Sequence, residues 1–234
     1  MKAIYKRELA SYFNSMVGYV FIAVLTLFIG IYFMGLNLYN GYTHFSYVLL
    51  NSLMIFMLAI PVLTMRSIAE DRKNKSDQLL LTSPVTVTGM VMGKYLAMVT
   101  VYAIPVLISC LCPLIIAANG TAYLKSDYAS IFAFFLLGCA YIAIGMFISA
   151  LTESQIIAAV STFAALLLLY LWSNLMDFLP TAASNVLSAF TFSDVLYNFA
   201  YYDVFDVGGL FLYLSVAAVF VFMTIQAVLK RRWS

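Results

Sequence analysis

Of 234 residues, 65% are hydrophobic and only 9% are charged, and the mean hydropathy is +1.00. Those proportions exclude a soluble globular domain and a disordered chain. A net charge of +2 provides no footprint for nucleic acid, so the composition describes a polytopic membrane protein with little mass outside the bilayer.

The first fifteen residues carry an amphipathic stripe. Met1, Tyr5, Leu9, Tyr12, Phe13 and Met16 recur at helical spacing on one side, while Lys2, Lys6, Arg7, Ser11 and Asn14 fill the other. This pattern predicts an elbow helix over 1–15 lying in the membrane interface. Six apolar stretches follow: Met16 to Leu38, Ser46 to Met65, Lys94 to Ala118, Tyr128 to Leu151, Gln155 to Trp172 and Val207 to Leu229. Each is close to the roughly 20 helical residues needed to cross a hydrocarbon core about 30 Å thick. The first is too long for the core of a cleaved signal and is expected to stay as an anchor.

Between the first two spans, the loop Asn37 to Phe45 holds the single histidine, His44, read as solvated. Pro61, Pro105 and Pro113 are expected to kink or shorten their helices. Gly138, Gly145 and Ser149 share a face of the fourth span with Ile142, and Ala158, Thr162 and Ala165 share one on the fifth. Both are packing seams, either within one chain or between two copies. Cys110, Cys112 and Cys139 lie inside spans with no histidine near, which predicts packing residues and neither a disulfide nor a metal site. The segment 173–206 is too polar to span and too aromatic for a free loop. Short re-entrant helices in the outer leaflet are expected there, serving as an aromatic belt, an outer gate or a docking surface.

Every Lys and Arg except Lys125 falls at the N-terminus, in the segment beginning at Arg66 and ending near Lys94, or at the C-terminus. With six spans, these regions share one face. Basic short loops stay in the cytoplasm, so both termini and residues 66–93 are assigned there.

No stretch matches GxxxxGK[ST], HExxH or GxSxG, so no catalytic role is expected of this chain. Span interiors almost free of ionisable groups argue against an ion-coupled carrier. The informative polar segment is the one over 66–93. Glu70 and Asp71 precede Arg72, Lys73 and Lys75, and the apolar Leu79, Leu80 and Leu81 come before Pro84. A short helix with a charged end and an apolar patch suits a groove on another protein.

The run Ala69-Glu70-Asp71-Arg72-Lys73-Asn74, with Asp77-Gln78-Leu79-Leu80-Leu81-Thr82-Ser83-Pro84-Val85 and then Gly93-Lys94, resembles the ABC-2 permease family. The tail, with Phe192, Phe199, Asp203, Asp206, Tyr213, Ser215, Phe220 and Lys230-Arg231-Arg232-Trp233, is similar to the branch of gliding-motility and nitrous-oxide-reductase-maturation permeases. The sequence departs at Lys75 and Ser76, where that family usually has Gly and Thr.

The resemblance implies one all-α transmembrane domain over 1–234 in the bacterial inner membrane. It pairs with a second copy or a paralogue and is driven by separate ATP-binding subunits that hold ATP and Mg. Glu70, Asp71, Arg72, Lys73, Leu79, Leu80 and Leu81 would then couple to the ATPase. Asn51, Met54, Ser161 and Thr162 would line the pathway, with export the expected direction. The competing expectations are a force-transmitting complex acting on an external partner, and a scaffold or channel that uses no ATP. Met54, Met57, Met90, Met92, Met98 and Met146 would suit a lipid or hydrophobic peptide as substrate, or are ordinary packing.

Overall fold

A computed structural model of the chain describes residues 2–73, 86–119, 123–176, 192–202 and 206–232. Every regular element among the described residues is a helix. α1 covers Lys2–Asn14 and α2 Met16–Phe33, continued by a π-helical turn over Met34–Tyr39. α3 covers Ser46–Thr64, α4 Ala69–Lys73, α5 Val87–Ser109, α6 Leu111–Asn119 and α7 Leu124–Leu151. α8 covers Gln155–Met176, α9 Phe192–Tyr201 and α10 Val207–Arg232. Six of these stretches are long and apolar enough to cross a membrane.

Two span boundaries differ from the sequence expectation. The third span starts at Val87 and not at Lys94, because Thr86 caps the helix by accepting the Gly89 N–H at 3.3 Å. Lys94 therefore stands two turns inside an apolar helix. The fourth starts at Leu124 and not at Tyr128, which brings Asp127 into its first turn.

α7 is the central element, and α3, α5, α9 and α10 pack around it. Phe56, Tyr102, Phe134 and Tyr141 form the aromatic centre of the core, with Phe56 to Phe134 centroids 4.7 Å apart. The small residues of α7 pack within the chain: a Cβ on Gly138 would lie 2.2 Å from the Tyr102 ring, and one on Gly145 2.5 Å from Thr64 Oγ1. The methionines at 57, 90, 98 and 146 are buried packing residues, whereas Met54 is 66% exposed.

The three prolines of the described spans fall into two cases. Pro61 and Pro105 sit inside α3 and α5. Pro113 clashes with the carbonyl four residues back, which is where α5 stops at Ser109 and α6 begins. At the end of the bundle away from α1, Asp127 Oδ1 accepts the Phe45 N–H at 2.8 Å and the Ser46 hydroxyl at 3.3 Å, capping α3 from α7. Asn37 Nδ2 donates to the carbonyls of Tyr42 and His44 and pins the connecting loop. His44 is not simply solvated; it stacks on Tyr123 at 4.4 Å.

Candidate functional site

Six charged residues, Arg7, Glu8, Arg66, Glu70, Asp71 and Lys94, come together where α1, α4 and the start of α5 meet. α1 reaches this point by turning sharply at Ser15 onto α2, a corner that requires Gly18, since a Cβ there would lie 2.6 Å from the Tyr12 carbonyl. The face it turns to the bundle is Ile4, Glu8 and Tyr12, at spacings of one helical turn, with Ile4 and Tyr12 buried and Glu8 partly so. Met16, expected on the same stripe, faces outward at 83% exposure because the chain has already turned. The Tyr12 hydroxyl donates to the Leu63 carbonyl at 3.1 Å. Burial, reinforced by Glu8, raises its pKa, so the phenol stays a proton donor.

Lys94 is the hub. Its ammonium lies 2.9 Å from Glu8 Oε1, 2.6 Å from Asp71 Oδ2 and 2.8 Å from the Ser67 carbonyl. Two of its donors are used on Glu8 and the Ser67 carbonyl, and Asp71 adds a second opposite charge, which is how a lysine with a 3% exposed side chain is tolerated. One side chain on α5 thus ties down α1, α4 and the turn leading into α4.

α4 is held from two further directions. Ser149 Oγ on α7 accepts the N–H groups of Ile68 and Ala69 at 3.3 and 3.1 Å and donates to the Met65 carbonyl at 3.4 Å. Arg72 donates to the Thr152 carbonyl at 3.5 Å, just beyond the end of α7. At the mouth, Arg66 grips Glu70 through two hydrogen bonds of 2.7 and 2.8 Å.

The four consecutive charged residues therefore divide. Glu70 and Asp71 turn inward onto Arg66 and Lys94, Arg72 lies against the α7–α8 link, and Lys73 is exposed. Leu79, Leu80 and Leu81 lie outside the described residues, as do residues 177–191 of the aromatic segment. Of the pathway candidates, Asn51 and Met54 sit on an exposed stripe of α3 with Leu58 and Val62. Ser161 is half-buried and bonded to its own helix, while Thr162 is fully buried on α8. α3 and α8 pack together, but Asn51, Met54 and Thr162 do not share one surface.

Sequence reasoning missed Glu8, Lys94 and Ser149 as parts of one site. The available signal was Glu8 itself, a carboxylate one turn from Ile4 and one from Tyr12 within an apolar stripe. No curated protein matches the chain. Residues 5–225 match the family described as ABC-2 family transporter protein.

Proposed function

Taking as premise that the chain belongs to the ABC-2 transporter family, we propose that it is the permease subunit of an ATP-driven exporter and that α4 is its input. In this reading two copies, or this chain and a paralogue, enclose the pathway in the bacterial inner membrane with both termini cytoplasmic. Separate ATP-binding subunits dock beneath and perform the hydrolysis. The resemblance of its tail to the gliding-motility and nitrous-oxide-reductase-maturation permeases supports assigning it to that branch.

The observation that carries this is the attachment of α4. A helix of five residues has no independent stability. Here Lys94, Ser149 and Thr152 fasten it to α1, α5 and the end of α7, so a push on α4 displaces the spans and does not melt the helix. Because Glu70 and Asp71 are spent on internal partners, Lys73 with the flank of Arg72 is left to meet the ATPase, whose groove should be acidic.

The test is co-purification with a co-expressed Walker-motif ATPase. Lys73→Glu should weaken association while Glu70→Gln leaves it close to wild type. Undiminished association in Lys73→Glu, or full transport by the purified chain alone, would remove the proposal. The rings at the other end of the bundle, Tyr47 against Tyr201 at 5.1 Å and Tyr197 stacked on Tyr201, support a second reading in which this end docks an external partner that receives force.

A further inference from the structure

α1 separates its charges by sign. Its carboxylate, Glu8, is turned into the bundle and lies 2.9 Å from the Lys94 ammonium, whereas Lys2, Lys6 and Arg7 are exposed. The outer surface of the helix is therefore purely cationic. Arg7 stands apart from the two lysines, lining a cleft of about 210 Å3 between α1 and α4. Lys2 and Lys6 belong to a different stripe, which continues through Leu9 and Phe13 at spacings of four, three and four residues. Like charges four residues apart on a helix repel, and among the described residues neither lysine has a carboxylate within ion-pair distance. The far end of the stripe reaches the membrane. Leu9 and Phe13 are half-buried, and the Phe13 ring meets Tyr19 edge-on, with centroids 5.6 Å apart. Tyr19 is 58% exposed at the start of α2, and Ala23 and Leu27 follow it along the hydrocarbon-facing side of that span.

The complement of this surface is an amphiphile with two anions and no cation in its headgroup. Lysines one turn apart, with Cβ atoms about 5–6 Å from each other, match two phosphates joined by a short linker. A diphosphatidylglycerol has that arrangement, one glycerol linking two phosphodiesters. We infer that Lys2 and Lys6 bind the two phosphodiesters of a diphosphatidylglycerol whose acyl chains lie against Leu9, Phe13 and Tyr19. Each ammonium donates to one phosphate, which also removes the repulsion between the two lysines. A phosphatidylglycerol occupies one lysine and leaves the other unanswered, and a zwitterionic lipid brings an ammonium of its own beside them. An acidic protein surface would answer the lysines and leave the apolar half of the stripe bare. Bound in this way, the lipid would hold α1 from its outer side as Lys94 holds it from the inner side. The assignment goes beyond the coupling role of α4 and does not require that an ATPase dock below.

The experiment uses the full-length chain in nanodiscs containing equal amounts of phosphatidylethanolamine, phosphatidylglycerol and diphosphatidylglycerol, followed by native mass spectrometry of the retained lipid. Diphosphatidylglycerol should be retained about fivefold over phosphatidylglycerol, the ratio that one further contact between lysine and phosphate gives at a bilayer surface. Lys2→Gln and Lys6→Gln should each bring that ratio close to one. Arg7→Gln, which removes a cation of the same helix from the cleft side, should leave it intact. All three positions are exposed, so the fold is preserved in each variant. Equal retention of the two anionic lipids by the parent chain overturns the inference, as does a preference that survives both lysine variants. A preference lost equally in Arg7→Gln would reduce the effect to bulk charge and overturn it too. Weakened co-purification of Lys6→Gln with the ATPase, at an unchanged lipid ratio, would assign the stripe to that protein and remove the lipid.

Discussion

Ser149 on the fourth span and Ala69 at the start of α4 are joined by a 3.1 Å hydrogen bond from the Ala69 N–H to the Ser149 hydroxyl. The same oxygen accepts the Ile68 N–H at 3.3 Å, so one side chain serves two of the unpaired donors that begin a helix. Ser149→Ala strands both. The expected cost is about 1–3 kcal/mol, concentrated locally, and hydrogen exchange over 66–73 should quicken while exchange in α7 holds. Unaltered exchange at Ile68 and Ala69 would show that the hydroxyl is dispensable.

Lys94→Met leaves Glu8 and Asp71 facing each other at a buried site. Breaking such a pair by removing one partner costs about 3–5 kcal/mol, and replacing all partners by neutral groups is far milder. Thermal unfolding in detergent should therefore show a large loss for Lys94→Met and recovery of most of it in the triple variant with Glu8→Gln and Asp71→Asn. A single variant as stable as the parent would contradict the hub.

On the opposite end, Asp127→Ala removes the acceptor for Phe45 and Ser46 and should cost about 1–3 kcal/mol. Asp127→Asn keeps an oxygen there and should cost less. Exchange rates over 40–48 separate the two, and equal effects of both variants would mean that the charge matters and the cap does not.

Gly145→Ala drives a methyl to within 2.5 Å of Thr64 Oγ1. Overpacking of this kind costs about 1–3 kcal/mol. Because the clash is with a side chain, Thr64→Ala in the same molecule should restore part of the lost melting temperature; an additive loss would place the fault elsewhere.

Orientation is checked with single cysteines introduced at Lys73 and Lys125 after Cys110, Cys112 and Cys139 are replaced. A membrane-impermeant maleimide added to intact cells should label the Lys125→Cys protein and spare the Lys73→Cys protein. The reverse pattern would invert the topology on which the coupling proposal rests.

The spans were readable in the sequence because a run of some twenty apolar residues has few alternatives to a crossing helix. Their ends were not. Lys94 reads as a boundary when lysine is assumed to need water, whereas two carboxylates and a carbonyl from other elements replace that water here. Those partners are separated from Lys94 by up to 86 positions, and no local pattern announces them. Gly138 and Gly145 announce a close approach, yet Tyr102 and Thr64 become their counterparts only once the helices cross. For Glu70 to Lys73, the sequence shows a run of charge, while the direction each side chain takes depends on α1, α5 and α7.

The interruption at Cys110 makes the third crossing two rods and not one. The Cys110 carbonyl left at the break accepts the Tyr128 hydroxyl at 3.3 Å, which attaches the joint to α7. From Lys94 to Cys110 is sixteen residues, about 24 Å of helix at 1.5 Å per residue. A tilt imposed where Lys94 is gripped would therefore be carried over that length to the break at Cys110.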